Sequence, residues 1–344
     1  MLKLLWIRVM QFYLRVGFVF YYKSYTATYL EKIPKNKAVI FLSNHQNALL
    51  DPLLITMKST RLNFFLTRAG VFKNPLVAKI LYSVQMLPVY RMMDGRDTIM
   101  MNKKIFSFCA EQLHKKKSIV LFPEGNHSLK RRSRPLKKGF SRILEETLQK
   151  YPTSDIVIIP VGVNYQDPTK WADSISVYFG KHISPNDFLT DGIINLSAIT
   201  DVVRAEIKTL TTHIENITEY DKINAKLEEL NVDFTNPISV NKCLNNNFSY
   251  SGKKIKKDTN LFLFFELLTK IFYFIPYYVW KKIAFPKIKE DEFISTFRYA
   301  VIIALAPAFL LIEVLLANYF FNSTVALSLL ITGITLPLIT LRIK

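Results

Sequence analysis

Cysteine is scarce in this chain of 344 residues. Only Cys109 and Cys243 occur, far apart and without a companion cluster of cysteine and histidine at metal-ligand spacing. The sequence therefore signals neither a disulfide framework nor a zinc site, and we expect no metal in the chemistry. A reducing compartment is the default expectation.

Two catalytic signatures are also missing from the sequence. It has no nucleophile elbow of the kind that presents a reactive serine, and no glycine-rich loop ending in a lysine that would cradle phosphates. These absences disfavour covalent serine hydrolysis.

Acidic residues are few beside basic ones. The chain has 46 Lys+Arg against 27 Asp+Glu, a formal net charge of +19, and yet 50% of its residues are hydrophobic. This combination favours an anionic partner such as a phospholipid surface, a phosphorylated substrate, an acidic carrier protein or nucleic acid. Much of the basic excess flanks apolar segments and no nucleic-acid motif is evident, so we expect an anionic phospholipid membrane and no nucleic acid.

The N-terminal segment, residues 1–30, predicts an amphipathic helix. Charges at Lys3, Arg8 and Arg15 interrupt the apolar run that a secretory signal needs, so we expect the segment to be retained. Arg8, Gln11 and Arg15 fall on one side of a helix whose other residues are mostly apolar, as in helices that lie in a membrane interface. The alternative is a helix packed on the globular domain.

Residues 31–235 predict an α/β domain with a mostly parallel sheet flanked by helices, because short apolar runs alternate with helical patterns. The expected strands are 38–42, 63–67, 86–90, 118–122, 156–164 and 175–179. The expected helices are 52–57, 75–83, 98–114 and 139–149. The polar stretch 236–260 is expected to be a linker.

The C-terminal region, residues 261–344, predicts a transmembrane hairpin. Residues 299–321 and 324–341 are each close to the roughly 20 apolar residues that cross a bilayer. Basic residues lie before the first span and after the second, which places both outer ends, and the globular domain, in the cytoplasm. Residues 261–280 contain Glu266, Lys270 and Pro276, so we favour an in-plane or re-entrant segment, with a third span as the alternative.

The strongest chemical signal is a histidine followed by an aspartate just after the strand expected at 38–42. His45 can accept a proton from a hydroxyl, and Asp51 can fix the histidine tautomer and stabilise the imidazolium that forms. A hydroxyl needs such a base, because an alcohol is a poor nucleophile at neutral pH.

Three further stretches follow in order. Residues 87–91 end in Arg91, at the edge of the sheet where ligands usually bind and where a guanidinium can hold a phosphate. Residues 122–128 contain Glu124 and Gly125, and residues 159–161 read Ile-Pro-Val. Together with Asn44-His45 and Asp51-Pro52, and with residues 67–75 between the first two, they resemble the glycerolipid acyltransferase family, which includes the bacterial 1-acylglycerol-3-phosphate acyltransferases.

The resemblance covers residues 38–163 and implies the α/β fold of glycerol-3-phosphate acyltransferases. It implies that His45 and Asp51 are catalytic, that Arg91 binds the phosphate of the acceptor, and that Glu124 and Gly125 shape the acceptor site. No cofactor is implied, since acyl-CoA or acyl carrier protein is the acyl donor. Residues 159–161 would line the channel for the substrates, and a plain core strand explains them equally well.

The chain departs from the family pattern at two places. Five residues separate His45 from Asp51, where four are usual, and on a continuous helix the extra residue would rotate the carboxylate by about 100°. We therefore expect the pair to bridge a loop and the first turn of a helix. Asn126 and His127 stand where the family commonly has threonine and arginine, which removes one permanent positive charge.

The sequence as a whole predicts an integral membrane O-acyltransferase of phospholipid biosynthesis, with its catalytic domain on the cytoplasmic face. The expected acceptor is lysophosphatidate-like, because a single-chain lipid can enter from the leaflet beside the domain. One alternative is a glycerol-3-phosphate acyltransferase. The other is a non-catalytic lipid-binding membrane protein of the same fold.

Overall fold

A seven-stranded sheet forms the centre of the molecule. The computed structural model describes residues 2–90, 98–190, 193–256 and 258–344. The strand order is β1-β7-β6-β2-β5-β3-β4, and every neighbouring pair is parallel except β6 and β7. The strands are β1 Ser24–Tyr29, β2 Ala38–Ser43, β3 Asn63–Arg68, β4 Met86–Val89, β5 Ser118–Leu121, β6 Ile156–Tyr165 and β7 Ser174–Phe179. The predicted mostly parallel α/β fold is confirmed.

Helices cover both faces of this sheet, and a short strand pair lies beside it. The helices of this part are α1 Leu2–Val19, α2 Leu50–Ser59, α3 Pro75–Ser83, α4 Thr98–His114, α5 Gly139–Lys150, α6 Leu196–Leu210, α7 Tyr220–Glu229 and α8 Pro237–Asn245. The strand pair is β8 Leu189–Thr190 and β9 Ile193–Ile194.

The alternation of side chains along the central strand β2 builds two cores. Val39 and Phe41 point to one face, where they join a cluster that includes residues of α1 and α2. Ile40 and Leu42 point to the other face and pack with residues of α4, α5 and α6. Such a strand is buried on both faces, as expected for the centre of a parallel sheet. The carboxyl end of β2, which is followed by Asn44 and His45, is therefore packed on both sides.

Two segments differ from the sequence expectations. Within residues 1–30, the stretch after α1 forms the edge strand β1, which pairs in parallel with β7. Within the expected linker 236–260, residues Pro237–Asn245 form α8, and Val240 and Cys243 are buried in a small core with residues of α7. The buried residues there stand singly among polar ones, so the sequence has no apolar run to reveal this core.

Helix α1 lies where the sequence places an amphipathic helix. Its side chains Ile7 and Phe18 are buried, and the Arg15 guanidinium donates to the carbonyl of Met57 at 3.4 Å. Its opposite face exposes large apolar side chains, among them Leu5 at 60% and Phe12 at 69%. One side of the helix thus packs on the globular part, and an apolar side is left uncovered.

Two C-terminal helices are long and apolar enough to cross a membrane. They are α11 Ile294–Phe320 and α12 Ser323–Ile343, and they pack against each other. Before α11, helix α9 Asn260–Phe272 is followed by α10 Phe274–Tyr278, and short helical turns continue α10 to Lys287. The chain bends by 98° between α9 and the segment Phe274–Lys287. A broken span and a re-entrant segment both fit this bend by length and composition.

Candidate active site

The candidate site lies at the carboxyl end of β2, the edge of a parallel sheet where ligands usually bind. Asn44 directly after the strand fixes this end to β6. Its side chain donates to the carbonyl of Val163 at 2.9 Å and accepts from the Val163 amide at 2.8 Å. The residue directly before His45 is therefore fixed to β6 by two hydrogen bonds.

His45 and Asp51 are in direct contact. Nδ1 of His45 lies 2.7 Å from Oδ2 of Asp51, and the Asp51 side chain is fully buried. Because a carboxylate only accepts hydrogen bonds, Nδ1 of the neutral imidazole carries the proton, which leaves the lone pair on Nε2. That is the tautomer in which a histidine can accept a proton from a substrate.

The extra residue between His45 and Asp51 is taken up by a loop. Residues 46–49 precede α2, and Asp51 lies in the first turn of that helix. The loop folds over the carboxylate, so that the backbone amides of Gln46 and Asn47 each donate to Oδ2 at 2.8 Å. With this loop, the buried Asp51 carboxylate accepts two backbone hydrogen bonds and still contacts His45.

Tyr165, at the end of β6, completes the surroundings of Asp51. Its hydroxyl donates to Oδ1 of Asp51 at 2.5 Å, and the ring is buried. Burial and the nearby Asp51 charge raise the pKa of Tyr165 well above its ordinary value. No motif in the sequence indicates this residue, because a tyrosine that ends an apolar strand carries no local signal of such a contact.

The loop after β5 lies directly against His45. The Phe122 ring stacks on the imidazole with centroids 4.0 Å apart, and the amide of Ser128 donates to the His45 carbonyl at 2.9 Å. Gly125 has a φ of +84°, and a Cβ there would lie 3.2 Å from Cγ of Lys137. Glycine adopts this left-handed conformation without the clash that other residues meet. The structure therefore brings the first and third motifs together.

Glu124 is buried and paired with Arg134. The Arg134 guanidinium donates to Oε2 of Glu124 at 2.9 Å from Nε and 2.6 Å from Nη2, and the Arg134 amide donates to Oε1 at 3.1 Å. The guanidinium also binds the side chain and carbonyl of Asn126. Burial raises the pKa of Glu124, and Arg134 partly opposes that rise.

The neighbouring arginines hold the backbone. Arg131 is buried, donates to the carbonyls of Tyr165 and Gln166 at 2.8 Å each, and lies 3.5 Å from the centroid of the Phe234 ring. Arg132 donates to the carbonyl of Glu215 at 2.8 Å. The basic run thus contains Arg134, which is paired with Glu124, and two residues that hold surrounding loops.

Arg91 lies outside the described residues. The strand that leads to it, β4, forms the edge of the sheet, and the backbone of Tyr90 bonds the Asn102 side chain at 2.9 and 2.7 Å. The chain is therefore anchored one residue before Arg91. Residues 159–161 lie within β6 and are buried throughout, with Pro160 opposite Leu42 of β2.

His127 is a further residue near the site. Its ring centroid is 5.6 Å from that of His45 and 4.8 Å from that of Phe293, which precedes α11. Burial and the nearby His45 lower the pKa of His127. Within the part of the chain that the structure describes, His127, Glu290 and Glu292 also have ligand atoms within 4.8 Å of one another, a donor set that could hold a metal ion.

The long apolar helix α11 contacts the loop that follows His45. The Thr296 hydroxyl on α11 donates to the side-chain oxygen of Asn47 at 3.2 Å and accepts from the Leu49 amide at 3.1 Å. The Ser295 hydroxyl and the Asn47 amide group both donate to the carbonyl of Pro168, at 2.7 and 2.9 Å. The start of α11 is thus attached to the loop between His45 and Asp51.

The segment that carries His45, Asp51 and Glu124 is similar to known proteins. Residues 25–164 match the protein-family model described as Acyltransferase. A stretch of 108 residues is 28% identical to glycerol-3-phosphate O-acyltransferase 1 of Saccharomyces cerevisiae and covers 31% of this chain but 14% of the yeast protein. The crystal structure of the 1-acyl-sn-glycerophosphate acyltransferase PlsC from Thermotoga maritima is similar with a TM-score of 0.42 and 18% identity, over 61% of this chain and 81% of that one.

Proposed function

We propose that this chain, whose residues 25–164 match the acyltransferase family model, transfers a fatty acyl group from a thioester donor to the hydroxyl of a lysophosphatidate-type acceptor. The donor is acyl-CoA or acyl carrier protein. The observation that carries the proposal is the 2.7 Å contact of His45 with the buried Asp51 at the carboxyl edge of the sheet.

The reaction follows from that contact. Nε2 of His45 takes the proton of the acceptor hydroxyl while the oxygen attacks the thioester carbonyl carbon, which gives a tetrahedral intermediate. The intermediate collapses with cleavage of the carbon–sulfur bond, and the imidazolium returns its proton to the departing thiolate. Asp51 stabilises the transient imidazolium. A base positioned in this way typically contributes about a hundredfold to ten-thousandfold in rate.

The acceptor would lie between the second and third motifs. Arg91 is assigned to the acceptor phosphate, and Glu124 with Gly125 to the shape of the acceptor site. Arg134 supplies a cation at Glu124, in the loop where the usual family arginine is absent, and it is held there by the carboxylate. We therefore assign Arg134 to fixing the acceptor loop and leave phosphate binding to Arg91.

A lipid acceptor is favoured over a soluble one by the position of the membrane helices. Thr296 at the start of α11 contacts Asn47, and Phe293 contacts His127, so the apolar region begins beside the catalytic histidine. Glycerol 3-phosphate is the second candidate acceptor, because the yeast relative is named for it. A non-catalytic role is disfavoured, since it requires no ordered histidine and aspartate pair.

The proposed placement is an integral membrane protein with its catalytic domain on the cytoplasmic face of an anionic membrane. The basic residues at the outer ends of α11 and α12 support this orientation. We propose that α9 and α10 form a re-entrant segment. Two contacts support this arrangement. The ring centroids of Phe274 and Phe309, which lies well inside α11, are 5.7 Å apart, whereas the Arg298 guanidinium near the start of α11 lies 4.9 Å from the centroid of the Trp280 ring. The segment therefore turns back from the interior of α11 towards its start.

The test is acyl transfer by the purified chain in detergent. Radiolabelled acyl-CoA and acyl carrier protein are each offered with lysophosphatidate, other lysophospholipids and glycerol 3-phosphate. We expect a labelled diacyl product from lysophosphatidate, lost in His45→Ala and kept in His114→Ala, whose histidine lies on α4 away from the site. Labelled product from glycerol 3-phosphate alone would select the second candidate, and the absence of any product would refute the enzyme assignment.

A further inference from the structure

A large cavity lies between α1 and the C-terminal helices, apart from the candidate active site. Its volume is about 770 Å³, which is within the range of about 300–1,000 Å³ typical of ligand sites. None of its lining residues falls within the family segment 25–164, and none is shared with the small polar cleft around His45. It is therefore a separate site, built from parts of the chain that the acyltransferase match does not cover.

The cavity is long and mostly apolar. Along α11 its wall runs from Arg298 through Ile302 and Ala306 to Leu310. Twelve residues of helix correspond to about 18 Å. Gly333 and its neighbours on α12 line the same depth. A slot of this length and composition fits a hydrocarbon chain.

Five basic residues line the cavity: Lys170, Lys270, Lys281, Arg298 and Lys344. Two of the lining lysines are paired with carboxylates, Lys170 with Asp167 at 3.2 Å and Lys270 with Glu266 at 2.9 Å. Within the described parts of the chain, Arg298 is a lining cation with no ion pair, and its Nη1 is buried without a hydrogen-bond partner. Nη1 has almost no accessible surface, and the guanidinium also has the Tyr21 hydroxyl as a neighbour, so a ligand in the cavity would contact the remaining part of Arg298 that lines it.

The neighbours of Arg298 favour a phosphate. Its guanidinium lies 4.9 Å from the centroid of the Trp280 ring, which fixes its plane, and a fixed guanidinium presents two parallel N–H donors that match phosphate oxygens. Lys281, the next residue after Trp280, also lines the cavity. The cation thus lies near the start of α11, and the apolar slot extends away from it along the helix.

We propose that this cavity binds one anionic phospholipid, with its phosphate on Arg298 and an acyl chain along the slot between α11 and α12. The lipid is not consumed, because the cavity does not include His45. Ser295 and Thr296, within one turn of Arg298, hold the loop between His45 and Asp51 through Pro168 and Asn47. Occupancy of the cavity therefore also stabilises the acyltransferase domain.

The experiment uses the full chain, purified in detergent and stripped of lipid. Phosphatidylglycerol and phosphatidylcholine with the same acyl chains are titrated, with native mass spectrometry to count bound lipid and thermal unfolding to follow stability. We expect one phosphatidylglycerol per chain and a raised unfolding temperature. Arg298→Gln should weaken this binding by at least about tenfold, whereas Arg342→Gln, an exposed basic residue of α12 outside the cavity, should leave it unchanged.

A second pair of variants tests the slot without changing charge. Ala306→Phe fills the cavity, and Ala304→Phe places the same ring on the exposed side of α11. Only Ala306→Phe should weaken lipid binding, and this pair decides the matter if Arg298→Gln does not fold. His45→Ala should bind lipid like the wild type, which separates this proposal from the catalytic one.

Three results would overturn the proposal. Equal binding of phosphatidylglycerol and phosphatidylcholine, which carries the same phosphate beside a cationic choline, would contradict selection of an anionic lipid at Arg298. Equal effects of the Ala306→Phe and Ala304→Phe changes would place the lipid outside the cavity. Displacement of the lipid by equimolar glycerol 3-phosphate, which has the phosphate but no acyl chain, would show a free phosphate site instead.

Discussion

Tyr165 donates its hydroxyl to Oδ1 of Asp51 over 2.5 Å, from a strand 114 residues further along the chain. The other oxygen, Oδ2, accepts from His45 and from two backbone amides. The carboxylate that contacts His45 is therefore held through both oxygens. Because burial raises the pKa of Tyr165 well above its ordinary value, the hydroxyl keeps its proton and remains a donor.

Tyr165→Phe should lower kcat by about tenfold, since it removes one hydrogen bond to a charged group that positions His45. The KM for each substrate should be nearly unchanged, because the Tyr165 side chain is buried against Asp51. Steady-state kinetics of the acyl transfer measures both. Tyr178→Phe, on β7, is the control and should behave like the wild type. An unchanged kcat in Tyr165→Phe would show that the two backbone amides suffice to hold Asp51.

Arg134→Ala should destabilise the domain by about 3 kcal/mol, because it leaves the Glu124 carboxylate buried without its cation. The additional change Glu124→Gln should restore most of this loss, since a neutral amide needs no cation. Free energies of unfolding of the two single variants and the double variant measure the coupling. Arg132→Ala, whose residue contacts a carbonyl, is the control and should cost less. Additive effects of the two changes would contradict the pairing.

Gly125→Ala should destabilise the loop after β5 by about 1–2 kcal/mol, because its φ of +84° is unfavourable for a residue with a Cβ. Gly139→Ala is the matched control, since no atom lies within 4 Å of a Cβ at that position. It should be neutral or slightly stabilising at the start of α5. Thermal unfolding of the two variants gives the comparison. Equal unfolding temperatures would mean that the loop adapts without cost.

The stability of the protein should fall on acidification through the ordinary histidine pKa of about 6.5, in part because of His127. Its pKa is lowered in the folded state, so the unfolded chain binds more protons in that window and stability rises with pH there. His127→Gln should reduce this slope. The midpoint of thermal unfolding, measured between about pH 5 and pH 7, is the readout, with His114→Gln as control. A slope equal to that of the wild type would exclude the contribution.

Much of the sheet and of the local site could be predicted from the sequence. Strand β2 and its neighbours carry continuous apolar runs, so their positions agree with the expectations to within one or two residues. The acyltransferase resemblance, which rests on four ordered motifs, is confirmed by the match of residues 25–164. His45 and Asp51 are six residues apart, so a local pattern could indicate their contact.

The missed features depend on long-range packing. Strand β1 is an edge strand of half-exposed threonine and tyrosine residues, which gives no apolar run. Tyr165 reaches Asp51 only because β6 pairs with β2 in a particular register. Arg134 stands among other basic residues, and only the fold determines which of them turns inward to Glu124.

We propose that His45 is the general base for acyl transfer. The most direct test is the single-turnover rate of His45→Ala with acyl donor and lysophosphatidate both saturating, beside the wild type and His114→Ala. We predict a fall of about a hundredfold or more in His45→Ala alone, with substrate binding retained. A rate close to that of the wild type would contradict the assignment.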